Sequence, residues 1–349
     1  MKINKEVTIY DVAKALNISP STVSRGLKDH PHIKKQTIKK IKSTAYEMGY
    51  QRNKFASNLR QKRTNTIGVV VPNLNSYFMA TVISGIEKVT NKSGYGLIIS
   101  LSQESELQEI SCVSTLYNSR VDGMLVSLSY DTKSLDHFNI LLKKNIPVVL
   151  FDRVIECNGC MSVVIDNFRA GYEATSHLID QGCKRIAHIY GNLLRNVYSD
   201  RFRGYKQALS DRGILFDRNL VLGSDLSSQG GTEAAKKILR MRPRPDGIFA
   251  SNDTSAVATI IELEKSGIRI PEEIAVVGFN NEPISRVVQP NLTTINYPAM
   301  EIGEIAATSL INKLMNSQSD NLSTIILKHS LIIRNSSLKI KKIDSKLTS

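Results

Sequence analysis

The sequence predicts an α/β protein that carries a small all-α head. Two observations lead there. The first fifty residues hold three short amphipathic helical patterns in a strongly basic setting, which is the plan of a helix-turn-helix domain. From Thr66 onward, short β-branched runs alternate with amphipathic segments, the pattern of doubly wound parallel sheets. The runs fall into two series, so two lobes are expected.

A length of 349 residues allows two or three domains, and 41% hydrophobic with 22% charged residues is ordinary globular composition. No apolar run reaches membrane-spanning length, so no membrane association is expected. The first six residues are polar and lack the apolar centre of a signal peptide, which places the chain in the cytoplasm. The net charge of +14 is unevenly spread. Residues 1–65 hold fifteen Lys and Arg against four Asp and Glu, a net of +11. Once the basic tail from Leu338 is set aside, the body between is neutral. A basic head on a neutral body is suited to meeting a polyanion through one segment. Cys112, Cys157, Cys160 and Cys183 are too few for a disulfide framework. Cys157 and Cys160 have metal-like spacing but no second pair, and read as two loop cysteines. Neither a metal nor a cofactor is expected.

In the head, Thr8 is a good N-cap with Asp11 three residues on, and Ile9, Val12, Ala13 and Leu16 form the apolar face of a first helix. Asn17-Ile18 breaks it. Ser19 caps a second helix with Pro20 at its first position, where the missing N–H costs nothing. Val23 and Leu27 face inward there, leaving Ser21, Ser24 and Arg25 outside. A third helix from about Lys34 to Met48 closes the core through Ile38, Ile41, Ala45 and Met48. In this plan the second helix enters the major groove of double-stranded DNA. Pro20, Ser21 and Arg25 are then the base-facing residues, and Arg25 suits the O6 and N7 of guanine. Thr8, Tyr10, Ser19, Thr22, Ser24 and Thr37 are phosphate contacts, with His30 and His32 in the adjoining turn.

The run Val7-Thr8-Ile9-Tyr10-Asp11-Val12-Ala13-Lys14, followed by Ile18-Ser19-Pro20-Ser21-Thr22-Val23-Ser24-Arg25, closely resembles the signature of the lactose-repressor (LacI/GalR) family. Met48-Gly49-Tyr50-Gln51-Arg52-Asn53 looks like that family's step into its hinge, and the resemblance continues to about Ser337. It adds Tyr50 and Asn53 to the DNA-facing set. It also implies that residues 53–60 form a hinge helix, in which Leu59, beside Ala56, wedges into the minor groove. Domain boundaries are expected at 1–51 for the head, 52–64 for the hinge, 65–337 for the core and 338–349 for the basic tail.

The resemblance implies a periplasmic-binding-protein-like core whose chain crosses between the lobes several times. Ligands of parallel sheets sit beyond the carboxyl ends of the strands, here facing each other across a cleft. The family's effector positions match Tyr77, Phe78, Asp152, Arg195, Arg201, Asn252 and Asn280. Ser127 and Asp225 fall in further cleft-facing loops. Aromatic faces together with Asp, Asn and Arg suit a carbohydrate. Two positions depart from the family: Asn280 and Asn281 stand where many members have an acid, and Asp225 where several have an aromatic. The effector is therefore not inferable by analogy.

No G-x-S-x-G, H-E-x-x-H, phosphate loop or dinucleotide fingerprint occurs, so no enzyme is expected. The expected protein is a homodimeric, sequence-specific DNA-binding regulator, most simply a repressor, reading a pseudo-palindromic operator under a small-molecule effector. The alternative keeps the DNA role but places it under a protein corepressor, as in the family's catabolite-control members.

Overall fold

The computed structural model describes residues 7–50, 63–157, 159–315 and 324–339. The chain divides into two compact units at Thr64/Asn65. Asn53, Ala56 and Leu59 of the expected hinge, and the tail beyond Lys339, lie outside the described residues.

In the first unit, α1 (Ile9–Leu16), α2 (Pro20–Gly26) and α3 (Lys35–Glu47) form around Val12, Ala13, Val23, Ile41 and Ala45, all buried. The caps are local. Thr8 and Asp11 make a reciprocal capping box, and Ser19 accepts the amide of Thr22 with Pro20 at the first helical position. Asn17 ends α1 at φ 51°, a left-handed conformation that asparagine tolerates. A side chain at Gly26 would run into Ile41, so α2 and α3 approach closely there.

The second unit is two six-stranded sheets. In the first lobe β1 (Thr66–Val71), β2 (Gly96–Leu101), β3 (Gly123–Val126), β4 (Val148–Phe151), β5 (Met161–Ile165) and β11 (Thr324–Leu327) lie in the order β11-β5-β4-β3-β1-β2, every pair parallel. In the second, β6 (Ile186–Tyr190), β7 (Val221–Gly223), β8 (Gly247–Ala250), β9 (Ala275–Asn280), β10 (Thr293–Asn296) and β12 (Ser330–Ile332) run β12-β10-β9-β8-β6-β7. Among the described residues, only the β10–β12 pair is antiparallel. Strands β1, β3, β4 and β8 are buried almost throughout, which is why they read as continuous apolar runs rather than alternations. The chain crosses between lobes after β5, after β10 and after β11.

Glycines allow close helix–helix crossings in both lobes. Helix Tyr77–Lys92 meets helix Ala299–Met315 through Gly85 and Gly303, and helix Asn167–Asp180 meets helix Asn196–Asp211 through Gly171 and Gly204. A Cβ on any of the four would collide with the backbone opposite.

Two details differ from the sequence reading. Cys157 and Cys160, expected as unlinked loop cysteines, are joined by a disulfide, because the turn brings their Cα atoms to 5.4 Å. The β-branched runs legible in the sequence, at 67–71, 96–101, 123–127, 146–151, 185–190, 247–250 and 274–279, correspond to β1–β4, β6, β8 and β9, and leave β5, β7, β10, β11 and β12 without a counterpart. They are short, and several carry polar or weakly alternating residues.

Candidate functional sites: a recognition helix and an interlobe cleft

The exposed face of α2 carries Ser21 and Arg25, one turn apart. Ser19 Oγ lies 2.8 Å from both Ser21 Oγ and Thr22 Oγ1, so a chain of hydroxyls covers the start of the helix. Thr8 donates its hydroxyl to Asp11 at 2.6 Å, and Tyr10 projects into solvent. His32 is exposed, its ring 5.3 Å from that of His30, while Ser24 and Thr37 are half-buried. Tyr50 packs against the hydrophobic core of the head.

In the second unit the strand ends deliver a compact cluster. Asp152 follows β4 in a left-handed conformation, φ 59°, with its carboxylate buried between the lobes. Tyr297, in the crossover after β10, donates its hydroxyl to Oδ1 at 3.1 Å, and Ser127 donates to Oδ2 at 3.4 Å. Burial raises the Asp152 pKa; Arg153, Arg201, Tyr297 and Ser127 pull the other way. Arg201 is buried as well. It donates Nε to Asn167 Oδ1 and Nη1 to the Ser251 carbonyl, each at 2.9 Å. Desolvation lowers its pKa. Its guanidinium covers the ring of Phe279, and the Tyr297 ring packs on Phe78 with centroids 4.6 Å apart.

The predicted effector residues therefore separate into groups. Ser127, Asp152 and Arg201 converge. Tyr77, Phe78 and Asn280 line a cavity of about 290 Å³ with Asn281, Glu282 and Tyr297. Asn280, at φ 105°, donates its amide to Glu282, and burial pushes the pKa of that carboxyl up. Asp225 lies on a separate cavity of about 320 Å³ with Ser224, Glu233 and Lys237. Asn252 caps helix Asp253–Lys265, and its amide group donates to the Leu226 carbonyl. Arg195 donates to the Thr132 carbonyl in the other lobe. Tyr130, Arg153, Tyr198 and Tyr297 meet partners across the seam between the lobes but were not among the predicted residues. Their only sequence signal is position just after a strand or in the first turn of the following helix.

A basic helix-turn-helix on the same chain as a two-lobed α/β core is the architecture of a DNA-binding transcription regulator. Comparison with known proteins agrees. Residues 8–53 match the model for bacterial regulatory proteins of the lacI family, and residues 175–337 match that of the periplasmic binding protein-like domain. Catabolite control protein A of Priestia megaterium is 32% identical over 331 residues, covering 95% of this chain and 99% of the relative. Among solved structures, a LacI family transcriptional regulator from Enterococcus faecium with bound ribose is 28% identical at a TM-score of 0.72, covering 79% of this chain and 100% of that one. The lac repressor dimer bound to operator and an anti-inducer shares the fold at a TM-score of 0.85 and 22% identity, covering 96% of this chain and 100% of that one. The chain belongs to the lacI family of bacterial regulatory proteins and is a DNA-binding transcriptional regulator. Among the described residues, no helix is long and apolar enough to cross a membrane.

Proposed function

We propose that the chain is a homodimeric repressor that reads a pseudo-palindromic operator through α2 and is controlled by a sugar or sugar derivative bound between the lobes. The observation that carries the effector assignment is the buried group of Asp152, Arg201, Phe279 and Tyr297. A carboxylate and a guanidinium beside aromatic faces can chelate neighbouring hydroxyls and stack on a sugar ring. The ribose complex of the Enterococcus faecium regulator supports the same ligand class.

On the DNA side, Arg25 is the base-reading residue, since its exposed guanidinium can make a bidentate contact to guanine from the outer face of α2. Pro20 and Ser21 stand beside it in the groove. Thr8, Tyr10, Ser19, Thr22, Ser24, His32 and Thr37 set the register through phosphates.

Dimerisation is supported by an apolar edge. Strand β2 lies at the end of its sheet with Ile98, Ile99 and Leu101 exposed, and Leu107 and Ile110 of helix Glu106–Asn118 are exposed as well. A second copy of the chain covers this face in the proposed dimer. One observation favours a second reading, control by a protein corepressor: Tyr130, Arg153 and Tyr198 close part of the seam between the lobes with the protein's own side chains. A thermal-shift screen of the full chain separates the two. The first reading expects a sugar or sugar derivative to raise the melting temperature and alter operator affinity. No response to any sugar, with operator affinity changed by a protein partner, supports the second.

A further inference from the structure

The two lobes are bridged by direct side-chain contacts. Arg153, in the loop after β4, lies with its guanidinium carbon 4.2 Å from the ring centre of Tyr130 in its own lobe and 5.9 Å from that of Tyr198 in the other. The two tyrosine hydroxyls are 3.1 Å apart, and Arg153 Nη2 is 3.4 Å from the Tyr198 hydroxyl. Glu104 fixes the arginine from behind, accepting Nη1 at 2.9 and 2.7 Å, and also accepts the Tyr130 amide at 3.1 Å.

Helix Asn196–Asp211 and the loop before it extend the seam. Asn192 donates its side-chain amide to the Tyr130 carbonyl at 3.0 Å. Asn196 accepts the Val154 amide at 2.9 Å and donates to the Asp152 carbonyl at 3.1 Å. Arg195 reaches the Thr132 carbonyl.

We propose that the core is held closed by this latch, with Arg153 clasped between Tyr130 and Tyr198, and that an effector must compete with the latch to occupy the cleft. The proposal rests on reading the cleft as the effector site, but its test does not require the effector. The Val154 amide reports closure, because its acceptor belongs to the opposite lobe.

Hydrogen exchange on the full-length, ligand-free protein is the experiment. The wild type is expected to protect the Val154 amide, and Tyr198→Ala to speed its exchange at least about tenfold while β1 and β8 keep their protection. Tyr198→Phe, which keeps the ring against Arg153 and loses the hydroxyl contacts, is expected to fall between the two. Equal exchange in wild type and Tyr198→Ala overturns the latch. Should Tyr198→Ala lose protection in the strands as well, Tyr198→Phe decides: faster exchange at Val154 alone supports the latch, and no change overturns it. Failure of the effector reading appears elsewhere, as the absence of any ligand-induced thermal shift, and leaves these exchange rates untouched.

Discussion

The guanidinium carbon of Arg201 lies 3.5 Å from the centre of the Phe279 ring, fully inside the protein. The same side chain satisfies Asn167 and the Ser251 carbonyl, so it joins the helix after the first crossover to the end of β8. Arg201→Met removes the cation and leaves two buried acceptors unpaired, at about 1–3 kcal/mol for each unsatisfied group. Calorimetry is expected to show a melting temperature lower by several degrees. An unchanged melting temperature contradicts this structural role.

The crossing of helices Asn167–Asp180 and Asn196–Asp211 depends on glycine. A Cβ at Gly204 would collide with the Phe168 carbonyl and the Tyr172 amide, both backbone groups that cannot rotate away. Gly204→Ala is expected to cost about 1–3 kcal/mol through forced separation of the helices. Denaturant unfolding checks it, and a midpoint equal to that of the wild type contradicts the close approach.

Asp253 is buried at the start of its helix, accepting the Thr294 hydroxyl at 2.6 Å and the Glu282 amide at 2.7 Å. Glu282 and Arg334 are the charged groups that face it. Desolvation pushes its pKa up from 3.8 to about 8. The neutral form is thus favoured by folding: the contribution is complete below the unfolded pKa and is lost as pH rises through about 8. The melting temperature of wild type relative to Asp253→Asn is expected to fall between about pH 4 and pH 8 and then level off. A difference that does not vary with pH contradicts the shift.

Much of the head was legible because its signals are local. Thr8 with Asp11, and Ser19 with Pro20, are neighbours in sequence, and their caps form within one helical turn. Strands buried on both faces were legible as unbroken β-branched runs. The seam was not, because its partners meet only on folding: Tyr130 and Tyr198 are 68 residues apart, and Asp152 and Tyr297 are 145 apart. Nor does spacing alone distinguish free thiols at Cys157 and Cys160 from a bonded pair; the turn geometry decides it. Asn252 and Arg195 stand where the family resemblance places effector contacts; in the structure Asn252 also caps a helix and Arg195 also bonds across the lobes.

Operator binding by the full-length protein tests the proposed base-reading role of Arg25. At physiological ionic strength, wild type is expected to bind fragments of its own promoter far more tightly than scrambled duplexes. Arg25→Ala is expected to lose about 1–3 kcal/mol on the promoter and little on scrambled DNA. Equal affinity of the wild type for both duplexes, or an Arg25→Ala protein that discriminates as well as wild type, overturns that role.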